Sequence, residues 1–359
     1  MNCTEPAPFY VENDIAIRCL SSQFYPMDVQ DILDLASAHW KTATLHAGVT
    51  LGVFDALAGN PSSAAQVASH CNASERHTAS LLDSLVGLEV LEKSNDTYTL
   101  PENLARILST DGADSMALAL QFNAQMMPLW AKLGDCVKAG APPVPANAQL
   151  GADPARVSAF VRGMHSRARA LGPEVIKHLD LTGVGQLLDV AAGPGTFSVL
   201  LAEAYPELHT TVFDLPAVSA VSQELHADSA VRDRITFAAG DYHVDPLPEA
   251  PAGGYDAVFY SGAVHQEDIE HTRIVLSKIY NALKPGGRLL LMDLMLESDR
   301  TLPAYSALFD LHMMLTNSMS HVHTVDGVSD LVREAGFESL ESRELARTPY
   351  HLVQAIRGG

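Results

Sequence analysis

The sequence predicts an α/β chain in which a doubly wound, mainly parallel sheet fills residues 183–359 and a smaller helical part precedes it. Three observations carry this. Residues 187–195 read Leu-Leu-Asp-Val-Ala-Ala-Gly-Pro-Gly, an apolar strand that ends near a carboxylate and runs into a glycine turn. Further apolar runs with acidic or small polar ends follow at 211–214, 235–241 and 255–262, at the intervals of strand–helix repeats. Upstream, apolar residues recur at helical rather than strand spacing.

Residues 1–28 show no sustained periodicity and are expected to be an arm. Over 29–58, Ile32, Leu35, Ala36 and Trp40, then Leu51, Phe54 and Leu57, keep helical spacing. Ser63-Ala64-Ala65-Gln66 has the form of a capping box, which starts a short helix. A further helix is expected over 74–88 and a hairpin over 91–100, turned by Ser94-Asn95-Asp96. Helix, helix and a two-stranded wing make a winged-helix pattern, and with it a domain over 29–110. Such modules often bind DNA. Here helix 74–88 carries only Arg76 as a fixed positive charge, against Glu75 and Asp83, so the basic footprint is missing. Residues 112–140 read as helical, 141–145 (Ala-Pro-Pro-Val-Pro) as a break and 154–179 as another helix. Residues 111–182 are thus connecting helices ahead of the sheet.

In the sheet, small residues after Asp189 let the backbone approach a ligand, and the helix opening at Phe197 presents N–H groups that favour anionic groups. That combination is a nucleotide cradle. Asp214 ends the second strand, placed to accept from ribose hydroxyls. The third strand ends in Gly240-Asp241 and the fourth in Ser261-Gly262, so four polar strand ends share one rim. A nicotinamide fingerprint would have a third glycine where Ser198 stands.

The pattern Asp-x-x-x-Gly-x-Gly, then a strand-end Asp, then Gly-Asp, resembles a class I S-adenosylmethionine (SAM) methyltransferase. Phe213-Asp214-Leu215-Pro216, Gly240-Asp241-Tyr242, Asp256-Ala257-Val258, Leu283-Lys284-Pro285-Gly286-Gly287-Arg288 and Glu334-Ala335-Gly336-Phe337 stand in the order of the plant and bacterial small-molecule O-methyltransferases. That family includes caffeic acid and acetylserotonin O-methyltransferases, and the resemblance runs from about residue 30 to the C-terminus. It implies a Rossmann-like seven-stranded sheet finished by an antiparallel hairpin of 338–345 and 350–356. It also implies an N-terminal winged-helix dimerisation domain, hence a homodimer, with SAM as cofactor and a small-molecule methyl acceptor.

The resemblance assigns Asp189, Gly193 and Gly195 to the methionine side of SAM and Asp214, with Leu215 beside it, to the ribose. Asp241 and Tyr242 flank the adenine, and Gly240 and Ser261 complete the cofactor set. The family usually has glycine where this chain has Ala191 and Ala192; at negative φ alanine costs little, and a slightly tighter cradle is expected. A degenerate, empty Rossmann domain is the rival reading, and the survival of three acidic strand ends together opposes it.

His265 stands where the resembled enzymes have His-Asp-Trp, whose histidine is the general base; an imidazole suits that work at neutral pH. Gln266 and Glu267 replace the Asp-Trp. Asp293 matches the first of two carboxylates that orient this histidine in plant members, and Val322 stands about where the second would be. The incomplete orienting set keeps an S-methyltransferase as an alternative, because a thioether or thiolate acceptor has no proton to lose. Asn123, Met127, Trp130, Phe160, Met164, His165, His312 and Met313 are expected to line an adaptable acceptor pocket, and Arg169, with Arg167 near it, to reach a substrate carboxylate. His321-x-His323 resembles a metal pair only loosely, and no metal is expected.

Composition bounds the rest. With 359 residues, 47% hydrophobic and 18% charged, the chain is long enough for about two cored domains. No apolar stretch approaches a membrane span and no basic-then-apolar leader opens it, so a soluble cytoplasmic protein is expected. Cys3, Cys19, Cys71 and Cys136 lack metal or disulfide spacing. A formal net charge of −20 disfavours phosphate-rich partners such as nucleic acid.

Overall fold

The structure, a computed structural model, describes residues 26–143, 153–250, 253–317 and 320–359. The expected arm at 1–28 falls almost wholly outside them, as do Val144 and Pro145 of the expected break. Among the described residues, those through Ala43 belong to one unit and those from Thr44 onward to a second.

Helix α1 (Val29–Leu51) opens on reciprocal bonds between Asp28 and Asp31, each accepting the other's backbone N–H. As far as Ala43 its apolar residues face solvent: Val29, Ile32, Leu33, Leu35 and Trp40 are all exposed, the last to 68%. The helix ends where Gly52 takes a left-handed conformation, and α2 (Val53–Leu57) follows.

From Thr44 onward, a first core gathers Val53, Phe54, Leu57, Val67, Leu82, Leu85 and Tyr98. It is built from α2, α3 (Ala64–His70), α4 (Glu75–Gly87), and a small antiparallel sheet of β1 (Ser62–Ser63), β2 (Glu92–Ser94) and β3 (Thr97–Thr99) in the order β1-β3-β2. The capping box forms both ways: Ser63 Oγ accepts from Gln66 N, and the Gln66 side chain accepts from Ser63 N. Strand β1 and helix α5 (Glu102–Leu108) were not anticipated from the sequence. Next come α6 (Ala117–Trp130), α7 (Leu133–Ala139) and α8 (Pro154–Val175), the last capped by Asp153 with proline at its first position. The helix expected to reach residue 179 ends at Val175 and finishes in a 3₁₀ turn, Ile176–His178.

Seven strands follow: β4 (Gln186–Val190), β5 (His209–Asp214), β6 (Ile235–Ala239), β7 (Tyr255–Ser261), β8 (Leu283–Asp293), β9 (Phe337–Glu344) and β10 (His351–Arg357). Their order is β6-β5-β4-β7-β8-β10-β9, with β10 antiparallel to both β8 and β9 and the others parallel. Alternate residues feed opposite faces. Leu188, Val190, Val258, Tyr260, Leu289, Leu291 and Val353 enter one core, while Leu187, Ala257, Phe259, Leu290, Met292 and Leu352 enter the other. That period of two, with both faces apolar, is what a helix-covered parallel sheet requires. Its helices are α9 (Thr196–Ala204), α10 (Pro216–Leu225), α11 (Ile269–Ala282) and α13 (Val325–Glu334), while α12 (Ala304–Thr316) packs on α6 and α7. Strand order reverses direction between β4 and β7, and the crevice at the C-terminal ends of such a pair is where open α/β sheets bind ligands.

Candidate active site

The turn after β4 is pinned by backbone bonds, Ala192 N to Phe213 O and Gly195 N to Ala192 O. That pinning forces Ala191 to φ 54° and Gly193 to φ 56°. The condition under which alanine would cost little, a negative φ, therefore fails at Ala191. A left-handed alanine costs about 1–2 kcal/mol, held here by the turn rather than by its own preference. A Cβ on Gly193 would point into open space, so the glycine is required by conformation and leaves room for a ligand. Gly195, also left-handed at φ 68°, and Gly240 serve packing as well: a Cβ would come within 2.9 Å of Ser222 Oγ and 2.8 Å of the Phe213 ring, respectively.

Two carboxyls close this end of the crevice. Asp189, 1% exposed, accepts from Ser198 Oγ at 2.7 Å, and its Oδ1 is buried without a partner among the described residues. Burial pushes its carboxyl up to about 7. Asp214 accepts the N–H of Gly193 and of Leu215, both at 2.7 Å, and burial raises it to about 6 against those bonds. An orphaned buried oxygen, open ground at Gly193 and an acceptor at a strand end fit a ribose-bearing cofactor such as SAM. Further along the rim, Asp241 turns back to accept the His243 N–H at 2.9 Å, Leu215 is exposed, and Ser261 ends β7 partly buried. Tyr242 is a core residue whose hydroxyl donates to Glu267 Oε1 at 2.7 Å, and burial raises its phenol far above the ordinary range. Glu267, 3% exposed and also 3.2 Å from His243 Nε2, was noted in the sequence only as a replacement.

His265 lies in a 3₁₀ turn, Val264–Gln266, directly after β7. Its Nδ1 stands 2.7 Å from Asp293 Oδ1 and its backbone N–H donates to Oδ2 at 3.1 Å. The His265 and Asp293 side chains are 11% and 2% exposed. A carboxylate accepting from Nδ1–H leaves Nε2 as the basic nitrogen. The Phe309 ring meets the imidazole edge-on at 4.9 Å; His312 stacks on Phe309 at 5.6 Å and on Trp130 at 6.0 Å. Burial, then the charges of His265 and Arg167, lower the His312 pKa. Phe309 was missed in the sequence, although its spacing from His312 was the available signal.

Not every expected pocket residue joins this group. His165 bonds Thr196 Oγ1 at 2.8 Å and meets His226 edge-on, so it braces the glycine turn instead; burial first, then His226, lowers it to about 4. Phe160 packs against Phe122 and the cluster containing Val157, Val161 and Val218. Arg169 is exposed and donates to the Ala113 carbonyl at 3.3 Å. Asn123 is exposed, Met127 and Met164 are partly buried and Met313 is buried. His323 bonds the Glu267 carbonyl through Nε2, and its ring lies 4.2 Å from that of His321. Val322 is buried, its N–H given to Asp310.

Residues 130–338 match the family model described as the O-methyltransferase domain, and residues 33–111 match the O-methyltransferase dimerisation domain. A curated relative, 3-hydroxy-5-methyl-1-naphthoate 3-O-methyltransferase of Streptomyces sahachiroi, is 30% identical over 88% of this chain and 91% of its own length. The N,N-dimethyltransferase OxyT of Streptomyces rimosus is 28% identical over 88% of this chain and 92% of its own. The crystal structure of human N-acetylserotonin methyltransferase in complex with SAM superposes with a TM-score of 0.84 at 25% identity, covering 94% of this chain and all of that one.

Proposed function

The chain belongs to the O-methyltransferase family, and from that premise we propose that it moves the methyl group of SAM to a hydroxyl oxygen of an aromatic small molecule, with His265 as general base. The observation that carries this reading is the buried His265–Asp293 pair at 2.7 Å on the rim of the sheet. SAM supplies an electrophilic methyl group on a sulfonium sulfur. Asp214 holds the ribose diol, and Asp189 the methionine side. The Phe309, His312 and Trp130 rings give the acceptor an apolar wall and exclude water, leaving His265 Nε2 to take the hydroxyl proton.

A sulfur acceptor would leave the pair without a proton to remove, so the runner-up S-methyl reading gains no support. OxyT is by name a dimethyltransferase of nitrogen; the His265–Asp293 pair serves oxygen or nitrogen, and the match to an O-methyltransferase model favours oxygen. The DNA-binding reading of the N-terminal module is likewise unsupported, since that stretch matches a dimerisation domain.

The same reading assigns 29–110 as a winged-helix-like module that pairs two chains, 111–182 as the acceptor wall and 183–359 as the SAM domain. It places the enzyme in the cytoplasm. Among the described residues no helix is long and apolar enough to cross a membrane, and Cys71 and Cys136 are unpaired.

Turnover of a hydroxynaphthalene panel, read as label transferred from SAM, tests the assignment. His265→Ala should lower kcat by about 10²–10⁴-fold while SAM still binds. Asp293→Asn should lower it about 10²-fold or more by releasing the tautomer. Near-full turnover of His265→Ala at saturating acceptor would remove the histidine from the base role.

A further inference from the structure

Helix α8 carries two arginines in different circumstances. Arg169 is spent on a backbone carbonyl at the surface. Arg167 is partly buried and surrounded by phenols: its Nη2 lies 3.5 Å from the Tyr305 hydroxyl, and its guanidinium carbon stands 5.7 Å from the centroid of the Tyr350 ring. A guanidinium has five N–H donors, and the hydroxyls of Tyr305 and Tyr350 beside it leave most of them unused. Arg162, Arg106 and Arg300 each meet a carboxylate, whereas among the described residues none lies within ion-pair distance of Arg167. A half-buried cation so placed is a standing demand for an anion.

Its position relates it to the proposed base. Tyr305, Phe309 and His312 fall at i, i+4 and i+7 of α12, one stripe of the helix. Arg167 touches the first member, and the second covers His265. Tyr350, its other neighbour, precedes His351, whose strand partner is Asp293. The arginine and the imidazole therefore meet side chains on the same stripe of α12. Asp293 makes no ion pair with the arginine; its oxygens accept from His265 and the Leu294 N–H. Tyr305 is 52% exposed, so on its side Arg167 borders solvent.

We infer, resting on the hydroxyl-acceptor reading, that the acceptor is a hydroxyarene carboxylate whose carboxylate pairs with Arg167 while its hydroxyl lies against His265. The planar fork of the guanidinium takes two carboxylate oxygens at once, and the Tyr350 ring holds the plane of that fork. Binding then fixes the ring at both ends, which sets which hydroxyl faces the base.

Calorimetry on the protein loaded with S-adenosylhomocysteine tests this without relying on catalysis. The probes are 3-hydroxybenzoate and 3-hydroxy-1-naphthoate, each against its own carboxamide, which keeps the shape and removes the charge. The wild-type protein should bind at least one acid about tenfold or more tighter than its carboxamide. Arg167→Gln should bring that ratio to about one and Arg167→Lys should restore part of it, with S-adenosylhomocysteine affinity reporting that each variant is folded. Equal binding of acid and carboxamide by the wild type, failure of both acids to bind, or a ratio that survives in Arg167→Gln overturns the assignment. Acids that bind through Arg167 but are never methylated leave the carboxylate contact standing and sink the hydroxyl-acceptor reading instead.

Discussion

Asp214 accepts two backbone N–H bonds and is still raised to about 6, because burial outweighs them. Only its ionised form can accept from both ribose hydroxyls. As the pH falls through about 6 a growing share of the empty protein is protonated there, so SAM affinity should drop about tenfold between pH 7 and pH 5. Asp189, raised to about 7, titrates beside it, so Asp214→Asn should bind more weakly throughout and lose the part of the slope below pH 6. Calorimetric SAM titrations across that range check the sign; an affinity that rises toward pH 5 would contradict the ribose role. Asp189, Asp214, His265 and Asp293 were all legible in the sequence, because each sits at or just past the end of a strand, where chain order alone sets position. Arg167 and Arg169 show the limit. Two residues apart on a helix they point about 200° apart, and only the packing of α8 decides which one meets the pocket. Ala191 shows another: its left-handed φ comes from bonds to β5 that no local preference reveals.

Among the elements, the strands of the large sheet were readable because both of their faces are buried, which leaves continuous apolar runs. The terminal hairpin was readable for its length. Strand β1 is two residues long and carries no period, and α5 follows Pro101 without a capping side chain, so neither produces a signal of its own. The capping box at α3 was legible because it is wholly local. Its bonds, Gln66 N to Ser63 Oγ at 3.3 Å and Ser63 N to Gln66 Oε1 at 2.8 Å, close the first turn of a seven-residue helix that packs Val67 and Ala68 inward. A helix that short depends on its cap. Ser63→Ala should destabilise the chain by about 1 kcal/mol in denaturant melts, with faster amide exchange over residues 64–68 and little change at β4. Exchange raised equally in the large sheet would mean that the cap acts globally rather than on α3.

At the scale of the whole molecule, two features pull against each other. Each chain carries a formal charge of −20, which repels a second copy. Against this stands the start of α1, where Val29, Ile32, Leu33, Leu35 and Trp40 are 77%, 53%, 55%, 66% and 68% exposed within a helix otherwise suited to burial. So many large apolar side chains on successive turns mark an interaction surface rather than scattered exposure, and residues 33–111 match a dimerisation domain. The proposed occupant is α1's counterpart in a second copy of the chain. Light scattering should therefore give twice the 38.5 kDa chain mass. Leu35→Glu with Trp40→Glu should shift it to a single chain while the circular dichroism of the sheet domain is kept, because the substitutions bury charge only at the interface. Salt separates the two forces. Screening shortens the reach of the −20 charges but leaves apolar contact intact, so raising ionic strength should tighten the dimer. An association that weakened with salt would have to be held by opposite charges instead, and would remove the apolar face of α1 from the interface.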